Sequence, residues 1–197
     1  MPKSAIVDSM QIETIRSNVF GIECSLELMA FTEHDKTEWK KLFDKWKQLK
    51  LGLRSYESRV PNFPEGLSEI AFCLYSGSKR FISLKGGANS SFDTYNTETS
   101  RAEQINASSV GSDLTSFGPN SRWDDIYFLD FYNEGKLDGS FNVYKIPNEM
   151  IYNMKVNATQ TMKDQQELGR RPRFSITEKI IQQQGIEPVA RNVKVWE

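Results

Sequence analysis

The run Ile126-Tyr127-Phe128-Leu129-Asp130-Phe131-Tyr132 constrains this chain most. Its apolar residues fall on both alternating faces, as in a central strand covered on both sides of its sheet. Such a strand needs a layer above and a layer below, so the rest of the chain must supply them. Ser140 to Ile146 alternates well enough to be its partner, after turn chemistry at Asn133-Glu134-Gly135-Lys136 and Asp138-Gly139. Upstream, Arg80–Leu84 and Ser91–Asn96 read as strands joined by a Lys85–Ser90 hairpin connection, and Arg101–Val110 as a third. Helical spacing predicts an amphipathic helix over 36–51, with Trp39, Leu42, Phe43, Trp46 and Leu49 inward and lysines elsewhere. A second helix is expected over 67–75, ended by Gly77, a short one over 148–153, and a last one over 174–184, before Gly185. Residues 162–173 read as polar and basic. The order predicts a single α/β (α+β) domain with a mixed β-sheet core flanked by helices. Its parts are a helical N-terminal portion (1–60), a core (64–146) and a helical C-terminal portion (147–197), with a turn-rich break at Pro61–Gly66.

Composition removes several functions. The formal net charge is −1, which argues against nonspecific polyanion binding through bulk charge. The single histidine, His34, sits in a polar stretch and reads as a surface residue. It excludes a histidine-rich metal site and leaves no base for a Ser-His-Asp or Cys-His mechanism. No apolar run approaches a membrane span, and the first residues do not read as a signal peptide. Cys24 and Cys73, both in apolar surroundings, are expected to be buried free thiols in a reducing cytoplasm. Trp39, Trp46 and Trp123 read as core, and Asp130 as an edge residue or a satisfied buried group.

The chemistry-bearing pattern is acidic. Phosphodiester hydrolysis needs hard oxygen ligands for Mg²⁺ and a group that activates or positions water. One solution sets an aspartate at a bent strand and places a carboxylate and a lysine two residues apart on the next strand, sharing a face. Here Asp93 precedes the 101–110 strand, and Glu69 lies on the helix before both. Strand register selects Gln104 and Asn106 as the paired positions, because Ile105 and Ala107 belong on the core face. Glu103 then points with the apolar residues or sits at a frayed strand start. A glutamine carbonyl can serve a hard cation, but an asparagine brings no positive charge to an attacking hydroxide. On spacing alone, Asp93 reads first as a hairpin turn residue.

Gln104-Ile105-Asn106-Ala107-Ser108, followed by Ser116-Phe117-Gly118-Pro119 and Trp123-Asp124, resembles a Gln-Ile-Lys-Ala-Ser strand and Ser-Phe-Gly-Pro…Trp-Asp segment of certain type II restriction endonucleases. Phe128–Tyr132 and Gly169-Arg170-Arg171-Pro172-Arg173-Phe174-Ser175 fit the same likeness, which spans roughly 64–188. The chain is thus similar to the small family of the PD-(D/E)XK superfamily that cuts GCNGC sites. The resemblance implies a restriction-endonuclease-like fold, a homodimer, Mg²⁺ and cleavage of double-stranded DNA at a short palindromic GC-rich site in a prokaryotic cell. It carries Asp93, Gln104 and Glu69 over as metal-binding and catalytic residues, and Asn106 as the occupant of the lysine position. Either that asparagine inactivates the enzyme and leaves a non-cutting DNA-binding module, or the lysine's role has moved; Lys85 is the nearest replacement by sequence. Arg170, Arg171 and Arg173 would contact DNA, and Ser108 and Ser109 could donate to phosphates, although the hydroxyl-rich segment from 108 to 116 reads equally as turn capping.

Overall fold

The computed structural model describes residues 11–85 and 92–197. Eight strands form one mixed sheet. β1 (Gln11–Val19), β2 (Ile22–Ala30), β3 (Lys79–Lys85), β4 (Thr94–Asn96) and β5 (Arg101–Ser108) lie side by side as an antiparallel meander. β5 then runs parallel to β7 (Asp125–Asp130), which pairs antiparallel with β8 (Phe141–Ile146). The mixed α+β architecture expected from the alternating patterns is therefore the one observed. The connection from β5 to β7 contains β6 (Thr115–Ser116), paired with β9 (Arg173–Phe174) in a small second sheet.

The 126–132 run sits as its sequence requires. Ile126, Phe128, Leu129 and Phe131 are all buried. Tyr127, Leu129, Ile105 and Ala107 face α1 (Glu33–Ser55) and α2 (Glu65–Ser76), in a core with Trp39, Phe43, Trp46 and Phe72. Ile126 and Phe128 face the other layer: Phe117, Trp123, α3 (Asn148–Tyr152), α4 (Met162–Glu167) and a π-helical segment (Thr177–Gln182). A third apolar cluster, with Leu26, Leu28, Phe92, Tyr95 and Ala102, fills the β1–β5 end. α2 ends as its sequence predicts: Gly77 adopts φ +78, and its N–H closes on the Cys73 carbonyl at 2.9 Å.

Several expectations change. The N-terminal portion read as helical opens with the β1–β2 hairpin, turned by Phe20 and Gly21 at positive φ. β1 is the edge strand of the described sheet; its less exposed face carries Glu13 and Ser17 while Ile12 on the other face is 62% exposed, so its alternation is weak. The hairpin connection at 85–90 lies, apart from Lys85, outside the described residues, as does Ser91, and the returning strand is only three residues long. β10 (Ala190–Val193) was not anticipated; it joins β8 across an irregular register. The polar stretch 162–173 contains α4, capped by Thr161. The last helix is irregular, widening to π geometry over 177–182.

The α1 stripe is also rotated from expectation. Trp39, Phe43, Trp46 and Lys50 are buried, while Leu42 and Leu49 are 47% and 55% exposed. Trp39 decides the phase. It stacks on Phe43 and Trp196, and its Nε1 donates to the Leu67 carbonyl at 2.8 Å. Cys24 and Cys73 are buried free thiols, His34 is exposed, and Trp39, Trp46 and Trp123 are core, all as expected. Asp130 is satisfied at its strand end by the Tyr132 and Asn133 N–H groups. No helix among the described residues is long and apolar enough to cross a membrane.

The phase of α1 is testable. Phe43→Ala should destabilise the fold by about 3–5 kcal/mol in urea denaturation, and Leu42→Ala by no more than about 0.5 kcal/mol. Equal losses would contradict the burial of this helix.

Candidate active site

The site begins where the sheet divides. β4 and β5 pair only as far as Thr94 opposite Glu103. Asp93 makes the last backbone bond, its N–H donating to the Glu103 carbonyl at 2.9 Å. Beyond that point β5 continues along β7 to Ser108, with no strand on its other side among the described residues. The Ile105 N–H that a strand would have satisfied is taken instead by the Asp93 carboxylate, Oδ2 at 2.7 Å. The same oxygen accepts the side-chain Nε2 of Gln104, whose Oε1 is then the amide atom left for another partner.

Strand alternation aims further groups at this opening. The Ala102 and Ser108 carbonyls bond toward β7, so those of Glu103, Ile105 and Ala107 point to the opposite edge. Glu103 uses its carbonyl on Asp93, and the Ile105 carbonyl faces the divided region. Gln104 and Asn106 share the sheet face of Ala102, away from α2, as their register predicts. Glu103 points with the apolar residues under α2, 3% exposed, and accepts the Thr94 hydroxyl at 2.8 Å. Burial raises its pKa.

Glu65, Glu69, Asp93, Gln104, Asn106, Ser108 and Ser109 all line one cleft of about 790 Å³, with Lys50 and Arg171. The four residues singled out from the hairpin pattern therefore all line one cavity, and Asp93 and Gln104 are in direct contact. Glu69 is not free within it: its Oε2 accepts the Arg80 Nε at 2.5 Å. Burial pushes the Asp93 carboxyl up to about 7, against the Ile105 N–H bond, with Glu69 and Glu65 adding to the rise and Arg80 opposing it. Asn106 carries no charge, and its buried Nδ2 has no hydrogen-bond partner among the described residues.

The remaining candidates divide. Ser108 and Ser109 are buried and engaged: Ser108 closes a turn with Val110, and the Ser109 hydroxyl accepts Lys50 Nζ at 3.0 Å. Arg171 reaches the cleft rim, whereas Arg170 and Arg173 are exposed outside its lining. Lys85 lies elsewhere, paired with Glu27 at 3.0 Å, and is absent from the cleft. Nothing in its position brings it towards Asn106. Lys50, Glu65 and Arg80 escaped the sequence reading. Lys50 was detectable, since it continues the helical spacing of Trp39, Phe43 and Trp46. Asp113 was missed as an anchor: it accepts from Thr115, Ser175, Ile176 and Thr177 and so ties the wall of the cleft to the π-helical segment. Burial works against its charge, but these donors win and hold its pKa below the usual value.

Among the described residues, no three His, Cys, Asp or Glu side chains gather closely enough to hold one ion. The oxygen donors at the divided edge are one carboxylate, one side-chain amide and one backbone carbonyl. That set suits Mg²⁺, which keeps several waters and takes few protein ligands. The raised Asp93 pKa comes first from burial and then from Glu69 and Glu65, and a cation bound beside the carboxylate would oppose both.

The shift predicts a pH dependence of stability. With its pKa raised, Asp93 holds its proton more tightly folded than unfolded. Between about 4, the unfolded value, and about 7, the folded chain therefore binds more protons and loses stability as pH rises. In metal-free denaturation, the wild type should lose about 1–3 kcal/mol relative to Asp93→Asn across this window, solvent screening at the partly exposed carboxyl having reduced the full value. Parallel pH profiles would contradict the shift.

The Bsp6I restriction endonuclease family model matches residues 31–183. The type II restriction enzyme Bsp6I of Bacillus sp. (strain RFL6) is 33% identical over 172 residues, covering 84% of this chain and 94% of that enzyme. No solved structure matches. The family match covers the helix of Glu69, the division between β4 and β5 and the segment carrying Arg171 alike, and the chain belongs to the Bsp6I restriction endonuclease family.

Proposed function

We propose that this protein is a Mg²⁺-dependent type II restriction endonuclease that binds double-stranded DNA as a homodimer and hydrolyses phosphodiester bonds at a short palindromic GC-rich site, GCNGC. The observation that carries the reading is the convergence of Asp93, Gln104 and the open edge of β5 in one cleft of a chain of this family. A DNA substrate and two buried free thiols suit the cytoplasm of a prokaryotic cell.

In this reading Asp93 supplies the charged metal ligand, with Gln104 Oε1 and the Ile105 carbonyl as neutral ones. Bound there, Mg²⁺ supplies Lewis-acid polarisation of the phosphoryl group and a more acidic water. The Ile105 N–H fixes the orientation of Asp93, and Arg80 restrains Glu69 at the edge of the site, where it adds negative charge. Arg171 meets the DNA from the rim, and Arg170 and Arg173 extend that basic edge; paired arginines suit guanine O6 and N7. Ser108 and Ser109 act as buried supports of the cleft wall. The Ser108 hydroxyl already donates to the Val110 carbonyl, so phosphate donation from it is not part of the proposal; the Ser109 hydroxyl accepts Lys50 Nζ and keeps its own O–H for a phosphate oxygen.

Asn106 occupies the lysine position without a charge. Negative charge that grows as water attacks phosphorus meets no cation from that place, so chemistry should suffer more than binding. A non-cutting DNA-binding module is the second reading, and the neutral, unpartnered Asn106 amide favours it.

Incubation of plasmid DNA with Mg²⁺ tests both. Asn106→Lys should raise the cleavage rate by roughly two to three decades, and Asp93→Ala and EDTA should each abolish cutting. Full-speed cutting by the unaltered chain would show that Asn106 does not stand in a catalytic lysine's place. Discrete fragments from Asn106→Lys alone would establish an inactivated nuclease. No fragments from either, with no site-specific retention of DNA, would overturn both readings. Retention itself should weaken steeply with salt, and Arg171→Ala should flatten the slope of log K against log[salt] by about 1.

A further inference from the structure

The strongest unexplained group outside the Asp93 cluster is a lysine in the buried stripe of α1. Lys50 takes the helical position where an apolar side chain would follow Trp39, Phe43 and Trp46, and it is 8% exposed. Its ammonium lies 4.8 Å from the centre of the Trp46 ring. Its Nζ donates to the Ser109 hydroxyl at 3.0 Å and approaches the Ser109 carbonyl at 3.3 Å. Among the described residues no carboxylate pairs with it. An ammonium has three N–H donors, and Ser109 takes no more than two.

A buried cation with only neutral partners is costly, and the cost falls when an anion arrives. Burial, with Arg54 nearby, already lowers the pKa of this ammonium, in keeping with that missing anion. The side chain opens into the same cleft as Asp93, Gln104 and Asn106. We infer that Lys50 binds a phosphate of the DNA backbone inside this cleft, an inference that rests on the nuclease reading. Its anchor, Ser109, lies three residues beyond Asn106, a span of up to about 10 Å along an extended chain. The phosphate it meets is therefore a neighbour of the one being cut. Lys50 thus holds the strand in register across the metal site and does not replace the lysine missing at 106.

Neutralising one phosphate at a time tests the pairing. The probe is a short duplex containing GCNGC, with Ca²⁺ in place of Mg²⁺ to prevent cutting and single methylphosphonates stepped along each strand. Affinity is measured over a salt series for the wild type, Lys50→Met and Lys50→Arg. Methionine keeps an apolar stem against Trp46 and removes the charge; arginine keeps the charge. Wild type and Lys50→Arg should lose about tenfold or more in affinity at one phosphate position per strand. Lys50→Met should already be weaker on native DNA, be insensitive at that position, and show a salt slope smaller by about 1. A Lys50→Met chain that keeps its thermal midpoint, its salt slope and the full methylphosphonate profile would overturn the assignment to Lys50 alone. Weaker binding by Lys50→Met with no single phosphate decoupled would overturn it too, by showing a structural role. Wild-type failure to retain any duplex would overturn this inference together with the nuclease reading.

Discussion

The hydrogen bond from the Ile105 N–H to the Asp93 carboxylate, 2.7 Å long, permits the sheet to divide. An interior strand edge with unmet N–H groups is costly when buried and adhesive when exposed. Here one side chain caps the first unmet N–H, so β4 can leave the sheet while β5 carries on beside β7. The cap is a carboxylate, and its placement at the division brings negative charge, an amide oxygen and a backbone carbonyl to one opening. The same atoms that end the pairing thus build the site. This explains why Asp93 is both fixed and electrostatically strained: burial and two nearby glutamates push its pKa to about 7, while the N–H bond holds its orientation.

The cleft carries charge of both signs. Glu65, Glu69 and Asp93 line it, and Arg80 pairs with Glu69. Lys50 and Arg171 line it without recorded ion pairs among the described residues. A polyanionic strand accompanied by a divalent cation is compatible with a lining that holds both signs of charge. The near-neutral net charge of the chain does not oppose this, because the charges that matter are placed rather than summed.

The central part of the fold was legible because its constraints are local. The 126–132 run could only be a covered strand, and the alternation in 101–108 put Gln104 and Asn106 on one face whatever lay beside it. What escaped depends on partners distant in sequence. β1 mixes polar residues into its less exposed face and Ile12 into the other, so its period is faint, and β10 is four residues held by β8 alone. Leu42 and Leu49 fit a helical stripe as well as Phe43 and Lys50 do; only the stacking of Trp39 on Trp196, at the far end of the chain, selects the phase. Lys50 escaped because a lysine in a lysine-rich helix reads as solvated. Arg80 and Asp113 escaped because their roles lie in contacts that spacing does not encode. Glu69, Asp93, Gln104 and Asn106 were singled out together from the helix–hairpin–strand order, and all four line the same cleft. Lys85 failed as a replacement for the same reason that it suggested itself: nearness along the chain, which here leads to Glu27 and away from the cleft.

The central claim is that the division of the sheet at Asp93 holds a divalent cation. Iron-directed self-cleavage tests it most directly, with Fe²⁺ and ascorbate replacing Mg²⁺ and the cut peptides mapped by mass spectrometry. Cuts close to Asp93 and within 104–106, lost on adding excess Mg²⁺ and absent in Asp93→Ala, are the predicted result. Cuts confined to other segments, or an unchanged pattern in Asp93→Ala, would contradict the account.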